Sequence, residues 1–161
     1  MVKISYVCPI FNKQNYIKQV LSALKNQQGS FEREFIFIND GSTDSSLDYL
    51  KNFTKKWKNT KIINQNNYGP AVATQRGIEC SKGDFLKLVG GDDLLHPNCT
   101  NNLLKVIKKN KSVAVFSKYK LLESFNNIKF QEDSIKHIKK IDNPIFETVK
   151  YSFSGTSPNL Y

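Results

Sequence analysis

Cysteine is scarce in this chain, and what there is lies scattered. Cys8, Cys80 and Cys99 are three thiols far apart in 161 residues. An odd number of scattered thiols with no metal-type spacing favours a reducing cytosol over a disulfide framework. No apolar run is long enough to cross a bilayer. The start, Met1-Val2-Lys3-Ile4-Ser5, has the pattern of a strand and not of a signal peptide. Internal repeats and low-complexity linkers are absent. So are zinc-finger spacing, a basic-aromatic motif and a helix-turn-helix pattern, which removes nucleic acid as the partner.

Acidic charge is also under-represented: 24 Lys and Arg face 14 Asp and Glu, for a net charge of +10. Lysine concentrates over residues 105–120 and 136–140. The plainest reading is a solvated, Lys-rich helix face. A peripheral contact with anionic lipid head groups is the alternative. One domain is expected at this length, with enough chain to bury a real core.

The residues that are present organise around Glu34-Phe35-Ile36-Phe37-Ile38-Asn39-Asp40-Gly41-Ser42-Thr43-Asp44. The apolar first half, rich in aromatic and β-branched residues, suits a strand buried on both faces. Asn39 and Asp40 then put polar groups at its carboxyl end. Gly41 permits a sharp turn, and Ser42, Thr43 or Asp44 can cap a helix. Ligands of open α/β sheets bind outside the carboxyl ends of the strands, so Asp40 stands where a ligand would be met.

Around this centre, strands and helices alternate. Residues 2–8 read as a first strand, which Pro9 ends because proline cannot continue a central ladder. Tyr16, Ile17, Val20, Leu21 and Leu24 predict a helix to about residue 28, closed by Gly29. A second helix is expected over 43–57, with Leu47, Leu50, Phe53 and Trp57 inward. A short strand at 61–64 precedes a helix of small residues over 71–80, with Pro70 at its first position. Strands at 85–89 and 113–116 bracket a helix over 98–109. Beyond Lys120 the pattern allows a strand or hairpin arm at 121–130 and helical segments at 133–140 and 146–151. Such alternation argues an α/β fold with a mostly parallel central sheet flanked by helices.

Two acidic clusters fall at strand ends, Asp40 with Asp44 and Asp92 with Asp93. Adjacent carboxylates repel unless a cation sits near them. Oxygen donors without paired His or Cys suit Mg²⁺ or Mn²⁺, which are usually completed by substrate phosphates. Asp40 alone could instead accept a hydrogen bond from the ring N–H of a base.

Four ordered motifs resemble family 2 glycosyltransferases, of the GT-A type with a Rossmann-like nucleotide-sugar-binding domain. Val7-Cys8-Pro9-Ile10-Phe11-Asn12 resembles the family's first-strand motif, and Asn39-Asp40-Gly41-Ser42-Thr43-Asp44 its acidic turn. Asn66-Asn67-Tyr68-Gly69-Pro70-Ala71 through Gly77 resembles its small-residue helix. Lys82-Gly83-Asp84-Phe85, Gly90-Gly91-Asp92-Asp93 and His96-Pro97 resemble its strand and metal motif. The resemblance covers about residues 1–120, read as the nucleotide-sugar-binding core. Residues 121–161 read as the start of an acceptor-side region that stops short.

The resemblance implies transfer of a sugar from a nucleoside-diphosphate donor, UDP being the expected carrier, to an acceptor hydroxyl. Inversion, Mn²⁺ or Mg²⁺, and glycan or surface-polysaccharide synthesis on a glycan or lipid-linked acceptor come with it. It implies a cytoplasmic site, at most peripheral to the inner face of the membrane. It assigns nucleotide binding to Pro9, Phe11, Asn12, Asp40, Gly69 and Asp92, and the metal to Asp92 and Asp93. There are three departures from the family pattern. Asn39 replaces an acid, Gly90 replaces the first aspartate of the metal motif, and Thr74-Gln75 replaces an Arg-Asn pair, with Arg76 shifted along the helix. Glu123, Glu132, Asp133 and Glu147 lie in no recognisable base motif, so no catalytic base is assigned. Two other readings stay open: a nucleotide-sugar-binding module without turnover, and a nucleotidyltransferase with the same phosphate-metal logic.

Overall fold

The computed structural model describes residues 1–110 and positions 114, 115, 117, 122, 128 and 130. Four strands alternate with four helices: β1 (Lys3–Ile10), α1 (Ile17–Lys25), β2 (Glu32–Asp40), α2 (Ser46–Thr54), β3 (Thr60–Gln65), α3 (Pro70–Glu79), β4 (Phe85–Leu88) and α4 (Cys99–Asn110). The strands form one sheet in the order β3-β2-β1-β4, and every neighbouring pair is parallel. The chain steps outward from β1 to β3 and then crosses back to lay β4 on the far side of β1. The order therefore reverses between β1 and β4, which is where open α/β sheets place their ligand crevice.

Alternation along the strands divides the core. Ile4, Tyr6, Cys8 and Ile10 of β1, with Phe35 and Phe37 of β2, are buried against α1, Leu50 of α2, and Leu103, Leu104 and Ile107 of α4. On the other face Val7, Ile36 and Ile38 meet Ala73 of α3. Each fully buried aliphatic or aromatic side chain contributes roughly 1.5–3 kcal/mol. The expected close approach of the small-residue helix is present. A Cβ on Gly77 would lie 2.3 Å from Val7 Cγ1 and 2.7 Å from Ile38 Cδ1, so any larger residue there would push α3 off the sheet.

The structure corrects the ends of β1 and α1 and the inward face of α2. β1 runs through Pro9 to Ile10, two residues past its expected end. Odd residues of β1 turn their backbone toward β4, as Val7 O does in accepting from Val89 N at 3.0 Å. β4 ends at Leu88, in register with Val7. Pro9 therefore lacks an N–H only where that ladder has already stopped. α1 ends at Lys25, three residues early, because Gln27 turns inward as a buried polar bridge. Its Nε2 donates to His96 O at 2.9 Å, and its Oε1 accepts from Thr100 N at 3.1 Å and Thr100 Oγ1 at 2.8 Å. Tyr6 OH also donates to Thr100 Oγ1, so β1, α1 and the start of α4 are tied through one satisfied network. In α2 the inward positions are Ser46, Leu50 and Thr54, four apart. That phase leaves Phe53 exposed, while Trp57, beyond the helix, packs 4.8 Å from the Phe35 ring. Of the expected strand at 113–116 only positions 114 and 115 are described, and of the elements beyond Lys120 only positions 122, 128 and 130, so these expectations lie outside what the described residues decide.

Candidate functional site

The loops after β1, β2 and β4 meet at the carboxyl edge of the sheet. The β1–α1 loop is the hub. Asn12, in the left-handed region at φ +50°, accepts Thr43 N on its Oδ1 at 2.8 Å, and its own N–H donates to Ser42 Oγ at 3.1 Å. Lys13 N donates to Ser46 Oγ at 2.7 Å, and Gln14 N to Asp44 Oδ2 at 3.0 Å. Asp44 also receives Ser46 N at 2.9 Å. Desolvation is the largest single influence and raises its pKa, but the donors of Ser46 and Gln14 together outweigh it and hold the carboxyl below the usual carboxylate range. Asp44 is thus a cap that locks two loops together.

On the other side the same loop reaches β4. Lys13 Nζ lies 2.5 Å from Asp92 Oδ2. The lysine stem crosses directly over Gly91, where a Cβ would stand 2.9 Å from Lys13 Cγ and 3.3 Å from Pro9 O. Asp93 folds back on its own turn, its Oδ2 accepting Gly90 N at 2.6 Å. Burial pushes the Cys8 thiol far up, and the charges of Asp93 and Asp92 push it further. Cys8 therefore remains a neutral core residue behind the acidic turn.

At the end of β2, Asp40 is only 3% exposed. Its Oδ1 accepts Gln65 Nε2 at 2.7 Å and Tyr68 N at 2.9 Å. Gln65 is the register partner of Asp40 on β3, and its Oε1 accepts from Arg76 of α3 at 2.9 Å. Asn39, also buried, donates to Asn64 Oδ1 at 2.6 Å and leaves its own Oδ1 without a partner among the described residues. Gly41, at φ +70°, makes the turn; a Cβ there would lie 2.7 Å from Asn67 N. Gly69, at φ +87°, precedes Pro70 at the start of α3.

The structure therefore brings Asp40, Asp92, Asp93, Pro9, Phe11, Asn12 and Gly69 to one edge of one sheet. Phe11 is 42% exposed beyond the end of β1. The side chain of Asn12 is spent on the neighbouring loop. Lys13 and Gln65 were not singled out from sequence. Gln65 could have been found by pairing the strand ends, whereas the reach of Lys13 to a residue 79 positions away carries no local signal. Glu34 lies at the amino end of β2 and serves a different purpose. It gathers Ser5 Oγ, Lys82 N and Lys3 Nζ at 2.5, 2.7 and 3.1 Å as a staple across three segments.

Among the described residues no group of three or more metal-ligating side chains converges. Asp92 and Asp93 alone supply a two-carboxylate, all-oxygen set. Such a set fits a hard divalent ion that takes its remaining ligands from water and substrate oxygens. The Lys13 ammonium places one positive charge on Asp92.

Comparison with known proteins places the chain in a family and a fold. Residues 5–157 match the family described as Glycosyl transferase family 2. A poly(ribitol-phosphate) beta-glucosyltransferase of Bacillus spizizenii is 34% identical over 122 residues, covering 74% of this chain and 19% of its own length. An uncharacterized glycosyltransferase of Haemophilus influenzae is 32% identical over 145 residues, or 88% of this chain and 56% of its own. The solved structure of Staphylococcus aureus TarS 1–349 in complex with UDP superposes with a TM-score of 0.68 at 23% identity, over 84% of this chain and 40% of that one. The mannosyltransferase PcManGT from Pyrobaculum calidifontis, in complex with GDP-Man and Mn²⁺, gives 0.68 at 16% identity, over 73% and 35%. These superpositions establish a GT-A fold. The chain spans less than two thirds of the length of each of these relatives.

Proposed function

The chain belongs to glycosyl transferase family 2, and from that premise we propose that it carries the donor half of an enzyme that transfers a sugar from a nucleoside diphosphate to an acceptor hydroxyl. In this reading residues 1–120 form the nucleotide-sugar-binding core and residues 121–161 open the acceptor side. The observation that carries it is the single loop, 11–14, that touches the turn beside Asp40 on one flank and Asp92 on the other. One ligand lying along that loop would meet a buried hydrogen-bond acceptor at one end and a cation-binding carboxylate pair at the other.

The roles follow from the chemistry of each position. Asp40 accepts a base N–H, with Pro9 and the exposed Phe11 ring lining the base and the backbone at Asn12 and Gly69 bordering the nucleotide. Asp92 meets the ribose and, with Asp93, would hold Mn²⁺ or Mg²⁺ against the diphosphate. That ion supplies Lewis-acid stabilisation of the departing nucleoside diphosphate. Attack by the acceptor from the opposite face inverts the anomeric carbon. Glycan or surface-polysaccharide synthesis is the setting that the poly(ribitol-phosphate) relative suggests. The free thiols Cys8, Cys80 and Cys99 are consistent with a cytoplasmic location, and the +10 charge with a peripheral contact at the membrane's inner face.

Calorimetric titration with UDP, GDP and CDP, in Mn²⁺ and then in EDTA, tests the reading. Binding of at least one nucleoside diphosphate, weakened by EDTA, is expected. Silence from all three ends the donor-site assignment. Nucleotide binding together with no release of sugar from any nucleotide-sugar would favour a binding module without turnover.

A further inference from the structure

The acceptor at Asp40 is held by a polar chain whose direction is forced. Arg76 carries only donors, and the Asp40 carboxylate carries only acceptors. The Gln65 amide between them has one group of each kind. It must therefore face its oxygen to Arg76 and its NH₂ to Asp40, as the distances of 2.9 and 2.7 Å show. A flipped amide would oppose oxygen to oxygen at one end and N–H to N–H at the other. Tyr68 N adds a second donor to the same Asp40 oxygen at 2.9 Å. With Oδ1 occupied twice, Oδ2 makes no hydrogen bond among the described residues and is the oxygen left for a ligand.

We propose that Gln65 and Arg76 are positioning residues that fix Asp40 as a one-oxygen acceptor, and that this makes the crevice selective for nucleobases with a ring N–H over those with a bare ring nitrogen. The proposal rests on the donor-site reading above. Uracil and guanine present a ring N–H that a carboxylate oxygen accepts. Cytosine and adenine place a lone pair at the corresponding ring position, beside an exocyclic amine, and a carboxylate repels that lone pair. If Asp40 could swing, it would reach the exocyclic amine and lose this discrimination. The Gln65–Arg76 chain prevents the swing. Arg76 lies on the exposed side of α3, with its guanidinium 6.0 Å from the Tyr68 ring, so it can be altered without opening the core.

The test titrates UDP, GDP, CDP and ADP into the wild-type chain and into the variants Arg76→Met, Arg76→Lys and Gln65→Leu, with Mn²⁺ present. Wild type should bind UDP or GDP at least about tenfold more tightly than CDP or ADP. Arg76→Met and Gln65→Leu should weaken the preferred nucleotide about tenfold while changing CDP by less than about twofold, so that the ratio collapses. Arg76→Lys, which keeps a donor, should restore most of the ratio. Thermal melting identifies any variant that fails to fold, and the exposed Arg76 series then decides alone. Wild-type binding with an unchanged ratio in Arg76→Met overturns the positioning role and leaves the donor site standing. Equal wild-type affinity for UDP and CDP overturns the discrimination. No binding of any nucleotide overturns the donor-site reading itself, and this proposal with it.

Discussion

β2 and β4 approach the same crevice from either side of β1, and they are built in opposite ways. β2 is buried and apolar from Phe35 to Ile38 and ends in an acid whose inner oxygen is twice hydrogen-bonded. β4 is four residues long and carries a lysine, Lys87, that is 0% exposed and has no oxygen or nitrogen partner among the described residues. Its loop ends in acids held by one half-buried lysine and one backbone N–H. On the proposed donor-site reading, the difference separates contacts settled on folding from those left to be remade by a ligand. A base needs a fixed hydrogen-bond pattern, so rigidity helps at β2. A diphosphate with its ion rearranges charge on arrival, and the exchangeable pairs at β4 allow that.

The largest effect should come from removing the anomaly on β4. Burial drives the pKa of Lys87 down from 10.5 to about 8, while the Cys99 thiol and the Asp93 carboxylate pull it back. The unfolded chain holds this proton more tightly than the folded one. The penalty is therefore full below pH 8, and it fades as the pH rises from 8 to 10.5. Lys87→Met should raise stability at pH 7 by about 3 kcal/mol, and the gain should shrink to near zero by pH 10.5. Denaturant unfolding at the two pH values measures it. A loss of stability at pH 7 would show that the ammonium has a partner and that β4 is better satisfied than the comparison holds.

Next in size is Asp40→Asn, whose amide oxygen can keep the Gln65 and Tyr68 bonds while its NH₂ takes the place of the free Oδ2 and opposes the ring N–H of a base. It should leave stability within about 1 kcal/mol and lower nucleoside-diphosphate affinity by roughly thirtyfold. Melting and calorimetry read the two effects separately. A tight-binding Asp40→Asn variant would break the claim that the β2 end is the rigid half.

Much of this contrast could be read from the sequence, for reasons visible in particular residues. Phe35-Ile36-Phe37-Ile38 suits a two-faced strand, and Asp40 then falls at its carboxyl end. The small residues of α3 signalled close packing, which Gly77 confirms. Periodicity fixes which residues turn inward only when enough apolar positions agree. In α2 the small polar residues Ser46 and Thr54 took the inward positions, and Phe53 was turned out. Lys87 sat inside an apparently apolar run, where local pattern reports the strand and not the price of its one charge. Pro9 was misplaced because the rule against proline in a central strand assumes neighbours along the whole length. The bonds from Lys13 to Asp92 and from Arg76 to Gln65 depend on side chains meeting across loops, which no spacing encodes.

The β4 half is probed by Asp92→Asn, whose effect should be smaller than that of Asp40→Asn. It keeps shape and removes charge, so the difference in UDP affinity between Mn²⁺ and EDTA should fall about tenfold. An undiminished difference would move the ion to other ligands.

Lys13→Met should produce the smallest change and the most telling one, because its two consequences have opposite signs. In the free protein the Lys13 ammonium competes with any cation for Asp92. The pair is partly exposed, with side chains 31% and 47% accessible, so it is worth no more than about 1 kcal/mol. Removing it should therefore tighten binding of Mn²⁺ alone by up to about fivefold, read by the loss of the free-ion paramagnetic resonance signal. The same change deletes a positive charge beside the phosphates and should weaken UDP by a similar factor in EDTA. Two changes in the same direction would mean that Lys13 only shapes the loop. Opposite changes would mean that it is the cation the crevice exchanges when its ligand arrives.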